Sequence, residues 1–163
     1  MSSPQGYTRS QIILHWLVAV LIVPQFVFHD AISAAFGAVM KGETPVITPF
    51  VPLHVVTGVL ILALVVWRLV LRRSAGVPEA PAGGSPLQEM IAKSVHHGLY
   101  TVLVLMVISG GLANFGHLGF AAGAHKALKL VLLLLVALHV AGALKQQFIQ
   151  KTNIMDRMKT PRA

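Results

Sequence analysis

Eight histidines and no cysteine define the chemistry open to this 163-residue chain. Imidazole ligates metals and haem iron and moves protons near neutral pH. Without cysteine there can be no disulfide, thiolate metal site, iron–sulfur cluster or haem attached through a thioether. The most informative pair bounds the apolar run His125-Lys-Ala-Leu-Lys-Leu-Val-Leu-Leu-Leu-Leu-Val-Ala-Leu-His139, which holds no proline or glycine. In a helix, its fourteen steps of about 100° bring the second histidine to within about 40° of the first. A rise of about 1.5 Å per residue sets them roughly 21 Å apart along the axis, and a bilayer core is about 30 Å thick. One helix would therefore carry two histidines on one face, near opposite sides of a membrane. That spacing suits two stacked metal or haem sites better than one.

The elements that must hold these side chains are apolar. The chain is 55% hydrophobic and 11% charged, against about 25% charged for a soluble domain, so it reads as an integral membrane protein. The expected fold is all-α: a four-transmembrane-helix bundle forming a single membrane domain over residues 1–163, with spans at about 12–28, 52–71, 91–113 and 125–148. Pro24 falls inside the first span, where a membrane helix tolerates a kink. The first connection includes a short helix over 31–40; the proline- and glycine-rich stretch 74–86 is a surface connector, and 114–123 is a glycine-rich turn. Only Arg9 precedes the first apolar run and no small-residue cleavage site ends it, so it is read as a retained span rather than a signal peptide.

The formal charge of +8 is explained by topology before nucleic acid. Ten basic residues (Arg9, Arg68, Arg72, Arg73, Lys93, Lys145, Lys151, Arg157, Lys159 and Arg162) fall on the side shared by both termini, against Lys41, Lys126 and Lys129 on the other. The positive-inside bias puts both termini in the cytoplasm. The histidines then form two layers: His15, His96, His97 and His139 on the cytoplasmic side, and His29, His54, His117 and His125 on the outer side.

Ionisable groups within a span are costly and mark function, and His15, His54, His96, His125 and His139 lie in or at the edge of apolar runs. The plainer reading, imidazoles that hydrogen-bond carbonyls and pin helices together, fits one such residue better than five in two layers. His29 and His117 lie in loops and read as solvated. His97 points about 100° away from His96, so one of the two at most faces the bundle centre. Zinc wants four compact ligands, which layers a membrane apart cannot supply together. A bis-histidine haem needs one imidazole from each of two helices, and two layers satisfy that twice. Gly58, Gly110, Gly111, Ala137 and Gly142 leave room for a flat macrocycle or for close helix packing.

Several motifs extend this pattern over nearly the whole chain. Tyr7-Thr-Arg-Ser-Gln-Ile-Ile-Leu-His15-Trp16 opens the first span, and His54-Val-Val-Thr-Gly58 opens the second, which ends in Trp67-Arg68-Leu. His96-His-Gly-Leu-Tyr100 lies in the third, and the His125…His139 pair is followed by Asp156-Arg157-Met158. With these residues the chain resembles the bacterial cytochrome b561 family, which includes a four-helix superoxide oxidase of the inner membrane. The resemblance implies two haems b as cofactors: a cytoplasmic one held by His15 and His139, and a periplasmic one held by His54 and His125, these four histidines being the iron ligands. His96 would stand near the cytoplasmic haem or a quinone. The sequence departs from the family where a histidine is common and Gln146 or Gln147 stands, and where Lys126 replaces an acidic residue.

The function the resemblance implies is oxidation of periplasmic superoxide to oxygen, with the electron passed through the inner membrane to ubiquinone. Lys126 and Lys129, flanking His125, could steer a small anion or simply snorkel to the interface. Alternative readings are an electron carrier between a periplasmic redox partner and the quinone pool, and a haem-free transporter or metal-ion carrier. No carboxylate lies inside any expected span, which argues against a proton-coupled pump. Oligomeric state is not legible.

Overall fold

The computed structural model describes residues 4–81 and 84–162. Among them the chain is all helical: α1 Arg9–Val27, α2 His29–Met40, α3 Phe50–Ser74, α4 Pro86–Gly116 and α5 Gly119–Leu144, then a π-turn Lys145–Ile149 and a 3₁₀ turn Ile154–Met158. Four helices, α1, α3, α4 and α5 with its π-turn, are long and apolar enough to cross a membrane.

Local signals explain where these helices start. Thr8 caps α1 in a reciprocal box: the Gln11 N–H donates to Thr8 Oγ1 (3.3 Å), and the Thr8 N–H donates to Gln11 Oε1 (2.9 Å). Ser85 and Gln88 repeat the device at α4, with Pro86 in the first turn where its missing N–H costs nothing. Arg72 and Arg73 close α3, where cations suit the negative end of the helix dipole. Pro24 lies within α1, which ends three residues later.

The connection between α4 and α5 is tighter than the glycine-rich stretch suggests. Helix α4 runs on to Gly116 and α5 begins at Gly119, leaving His117 and Leu118 between them. The turn is made by His117 itself, in the left-handed region (φ 52°, ψ 32°), with its N–H bonded to Leu112 O. Gly119 and Gly123 lie inside α5, since glycine weakens a helix without forbidding it and is frequent in membrane helices. In the connection between α1 and α3, α2 starts at His29, two residues ahead of the expected short helix.

Helix α4 packs most extensively on α5, α1 on α3, and α3 joins the two pairs. The centre is a cluster of Val18, Ile61, Val65, Val102, Leu103 and Leu132, one or two residues from each long helix, with Val65 1% exposed. Leu132 lies midway between His125 and His139, so this cluster separates the two histidine layers with dry side chains. Gly98 permits the close approach of α4 and α5, because a Cβ there would meet Leu135 at 3.2 Å. Outward-facing Val20, Val23, Val56, Val59, Leu130 and Leu134 are all exposed, as a lipid-facing surface requires. In lipid such a bundle is held by van der Waals packing rather than by release of water.

Both chain ends and the α3–α4 connection meet at one end of the bundle. The Arg162 N–H donates to Tyr7 O (2.9 Å), Arg162 Nη1 to Ala75 O (3.3 Å) and Arg157 Nη1 to Glu79 O (2.7 Å).

Candidate functional site

At the end that carries the termini, α1 and α5 bring His15 and His139 together, with ring centres 6.0 Å apart and planes at 60°. One turn before His15, the buried Gln11 locks α1 to the end of α3: its Nε2 donates to Gly76 O (2.9 Å) and Leu71 O (3.3 Å). Arg68 adds a bond from Nη1 to Gln11 O (3.0 Å). His96, on α4, stands edge-on to His139 at 5.0 Å, with Nδ1 on Ala92 O at 2.6 Å. His97 bonds Lys93 O in the same way and is exposed. Outside the span, burial pushes the Tyr7 phenol above its ordinary range against the opposing pull of the Arg72 guanidinium, so it stays neutral at pH 7.

The neighbouring Trp16 packs against His15 (5.3 Å, 78°) and donates its indole N–H to Met158 O at 2.8 Å, tying the C-terminal turn to the helix that presents His15. Trp16→Phe keeps a ring beside His15 and removes this donor. A hydrogen bond of about 1 kcal/mol corresponds to roughly fivefold in the opening equilibrium of the tail. Tryptic cleavage after Arg157 and Lys159 should accelerate by about that factor, and an unchanged rate would show that the bond does not hold the tail.

At the opposite end α3 and α5 present His54 and His125, with ring centres 6.3 Å apart and planes at 72°. His125 Nδ1 lies 2.9 Å from Met106 O and 3.1 Å from Ser109 Oγ, whose own hydroxyl is committed to Leu105 O at 2.7 Å. The Met106 carbonyl can only accept, so Nδ1 carries the proton and Nε2 keeps its lone pair for a metal. Gly110 cradles the same ring: a Cβ at this position would meet His125 Cε1 at 3.1 Å and Nδ1 at 3.3 Å. Gly110→Val is therefore expected to displace the imidazole and to destabilise the loaded protein by about 1–3 kcal/mol, read as a lower thermal midpoint followed by haem absorbance. The Nδ1 of His54, by contrast, is buried without a partner.

Two imidazoles on opposite faces of one iron, with metal–nitrogen bonds of about 2 Å, place their ring centres roughly 6 Å apart. The 6.0 Å and 6.3 Å pairs fit that sandwich. The 5.0 Å separation of His96 from His139 is shorter, so His96 stands beside the pair. Among the described residues no three His, Asp or Glu side chains converge as a compact metal site. At Gly58, Gly111 and Gly142 an added Cβ would meet nothing within 4 Å, so close helix packing does not require these glycines.

A profile for Prokaryotic cytochrome b561 matches residues 6–161. The chain belongs to the prokaryotic cytochrome b561 family. A relative from Cereibacter sphaeroides, Cytochrome b562, is 33% identical over 162 residues, covering 99% of this chain and 100% of its own. The chain is thus a multi-pass membrane cytochrome of electron transfer, with haem b as its cofactor. The two histidine pairs, and the His125 Nδ1 proton held by Met106 O, suit bound haem, since ligating imidazoles donate their second N–H to an acceptor.

Around the His54–His125 pair of this b561 cytochrome the structure adds residues that spacing did not reveal. His29, which reads as a loop histidine, is at the start of α2 and meets Lys129: Lys129 Nζ donates to His29 Nε2 at 2.9 Å. Ser33 Oγ lies 3.1 Å from the same nitrogen, and Asp30 Oδ1 is 3.2 Å from Nδ1. Lys126 is exposed and unengaged among the described residues, while Lys129 is half-buried. Of the two glutamines in the π-turn, Gln147 accepts from the Met155 N–H (3.1 Å), whereas the buried Gln146 Oε1 has no partner. Ser109 and Gln25 carried no signal in the sequence beyond being polar within apolar helices, and Thr57 stood only within the motif from His54 to Gly58.

Proposed function

We propose that this cytochrome carries electrons across the bacterial inner membrane from periplasmic superoxide to ubiquinone, as one membrane domain with both termini in the cytoplasm. The observation that carries the reading is the pair of histidine couples at opposite ends of the bundle, each joining two helices at a separation suited to one iron. His15 and His139 hold the cytoplasmic haem b, and His54 and His125 the periplasmic one. Haem b held by two imidazoles at each site would supply one-electron chemistry.

The chain's own residues do the rest. Met106 and Ser109 orient His125, and Gln11 fixes the end of α1 that carries His15. The apolar cluster around Val65 keeps water from the space between the layers. Lys126 and Lys129 give the outer face a positive potential, which attracts a small anion and raises its encounter rate. His96, beside His139, is placed to serve the cytoplasmic haem or a quinone near it.

The test is to mix the oxidised protein with a pulse of superoxide and follow the haem absorbance. Reduction within the mixing transient, abolished by superoxide dismutase and slowed by salt, is the expected result. No reduction by superoxide would remove the oxidase reading and leave a carrier between a periplasmic redox protein and the quinone pool.

A further inference from the structure

The two outer histidines differ in one respect. His125 delivers its Nδ1 proton to Met106 O at 2.9 Å. His54 Nδ1 is buried and meets no acceptor. Iron binding through Nε2 requires Nδ1 to carry a proton, and a buried N–H without an acceptor costs about 1–3 kcal/mol. An acceptor is therefore needed on the far side of His54 from His125.

The surroundings supply one. A cavity of about 10 Å³ adjoins His54, with Gln25, Thr57, Pro24 and the stacked rings of Phe28 and Phe50 among its walls. That volume is about the smallest that admits a single water. The polar groups around it have their directions set by one another. Thr57 lies one turn after His54, and its hydroxyl donates to Leu53 O at 2.6 Å. With its proton so committed, Thr57 Oγ1 can only accept from the Gln25 amide, and the structure pairs Gln25 Nε2 with that oxygen. The Gln25 amide must then present its carbonyl oxygen elsewhere. Gln25 is half-buried, two residues before the end of α1, and next to Pro24, whose missing N–H already loosens the helix there.

We propose that Gln25 is the positioning residue for His54: oriented by Thr57, its carbonyl accepts the Nδ1 proton of His54 through one water in the adjoining cavity. The chain of donors runs from His54 through the water to Gln25, then from the Gln25 amide to Thr57 and from Thr57 to Leu53 O. It leaves Nε2 of His54 as the ligating nitrogen and makes the imidazole a stronger donor to a metal. The two outer ligands are thus supported differently, His125 by backbone and His54 by a side chain that substitution can remove. The inference rests on His54 being an axial ligand, as in the function proposed above.

The test is a potentiometric titration of the haem-loaded protein, with low-temperature electron paramagnetic resonance as a second readout. His54→Ala first identifies which haem signal belongs to this residue. Gln25→Leu is then expected to raise the midpoint potential of that haem alone and to shift its low-field resonance, because a weaker imidazole donor stabilises the ferric state less. Gln25→Glu, with a stronger acceptor, is expected to shift the same potential downward. Thr57→Val frees the amide and should give a smaller upward shift, a variant that remains readable should Gln25→Leu fail to load haem. If His54→Ala loses a haem signal but none of these variants moves its potential, or all move both haems equally, the role of Gln25 is overturned and the ligand assignment stands. If His54→Ala loses neither haem signal, the ligand assignment itself fails.

Discussion

Alanine at His15 and alanine at His139 are expected to remove the same haem, and alanine at His54 and at His125 to remove the other. Each single variant should fall from about two haems per chain to about one, since one axial imidazole leaves iron half-ligated at its site. The pairing follows from the ring separations, 6.0 Å between α1 and α5 and 6.3 Å between α3 and α5. The double variant His15→Ala/His139→Ala should lose no more haem than either single one, because both residues act on one group. His15→Ala/His54→Ala should lose essentially all of it. His96→Ala is expected to keep both haems and to perturb only the spectrum of the one at the His15–His139 pair, since His96 meets the side of His139 at 5.0 Å. Pyridine haemochrome counts with low-temperature difference spectra would read all of these variants. Loss of a haem in His96→Ala but not in His15→Ala would exchange the two assignments.

Reversing the charge of the outer face is expected to have the second largest effect. Lys126→Glu/Lys129→Glu should slow reduction by superoxide by about tenfold or more at low ionic strength, because a steered anion meets repulsion where it met attraction. The difference should shrink as salt brings the Debye length down to a few ångströms. Lys126→Glu alone tests steering most cleanly, since Lys126 is exposed and Lys129 also bonds His29. Reduction by an uncharged reductant should be unaltered in rate and in salt dependence by either substitution. A superoxide rate that ignores both charge and salt would mean that the lysines only anchor α5 at the interface.

How much of this was readable beforehand depends on the length scale of the signal. The helices were legible because runs of about twenty apolar residues have few other uses, whereas the starts of α1 and α4, set earlier by the Thr8 and Ser85 capping boxes, came from the structure. The tight turn at His117 was not, because it rests on one non-glycine residue in the left-handed region while the nearby glycines stay helical. At the candidate site, the stacking of His125 and His139 on one helix follows from helix periodicity. Which histidine faces which across the bundle does not follow from spacing, and the residue-by-residue pairing came from the family resemblance. Contacts made across helices, such as Met106 O on His125 and Lys129 on His29, link residues 19 and 100 positions apart and leave no local trace. The glycines sorted differently from one another: Gly110 is held open for the His125 ring and Gly98 for Leu135, while Gly58 faces open space.

In the proposed function these histidine couples hold two iron sites, one at each end of the bundle. A dithionite-reduced minus oxidised spectrum of the purified protein, with haem and protein counted on the same sample, tests this most directly. The expected result is about two low-spin b-type haems per chain. A single haem per chain would contradict the account by leaving one couple with no iron to hold.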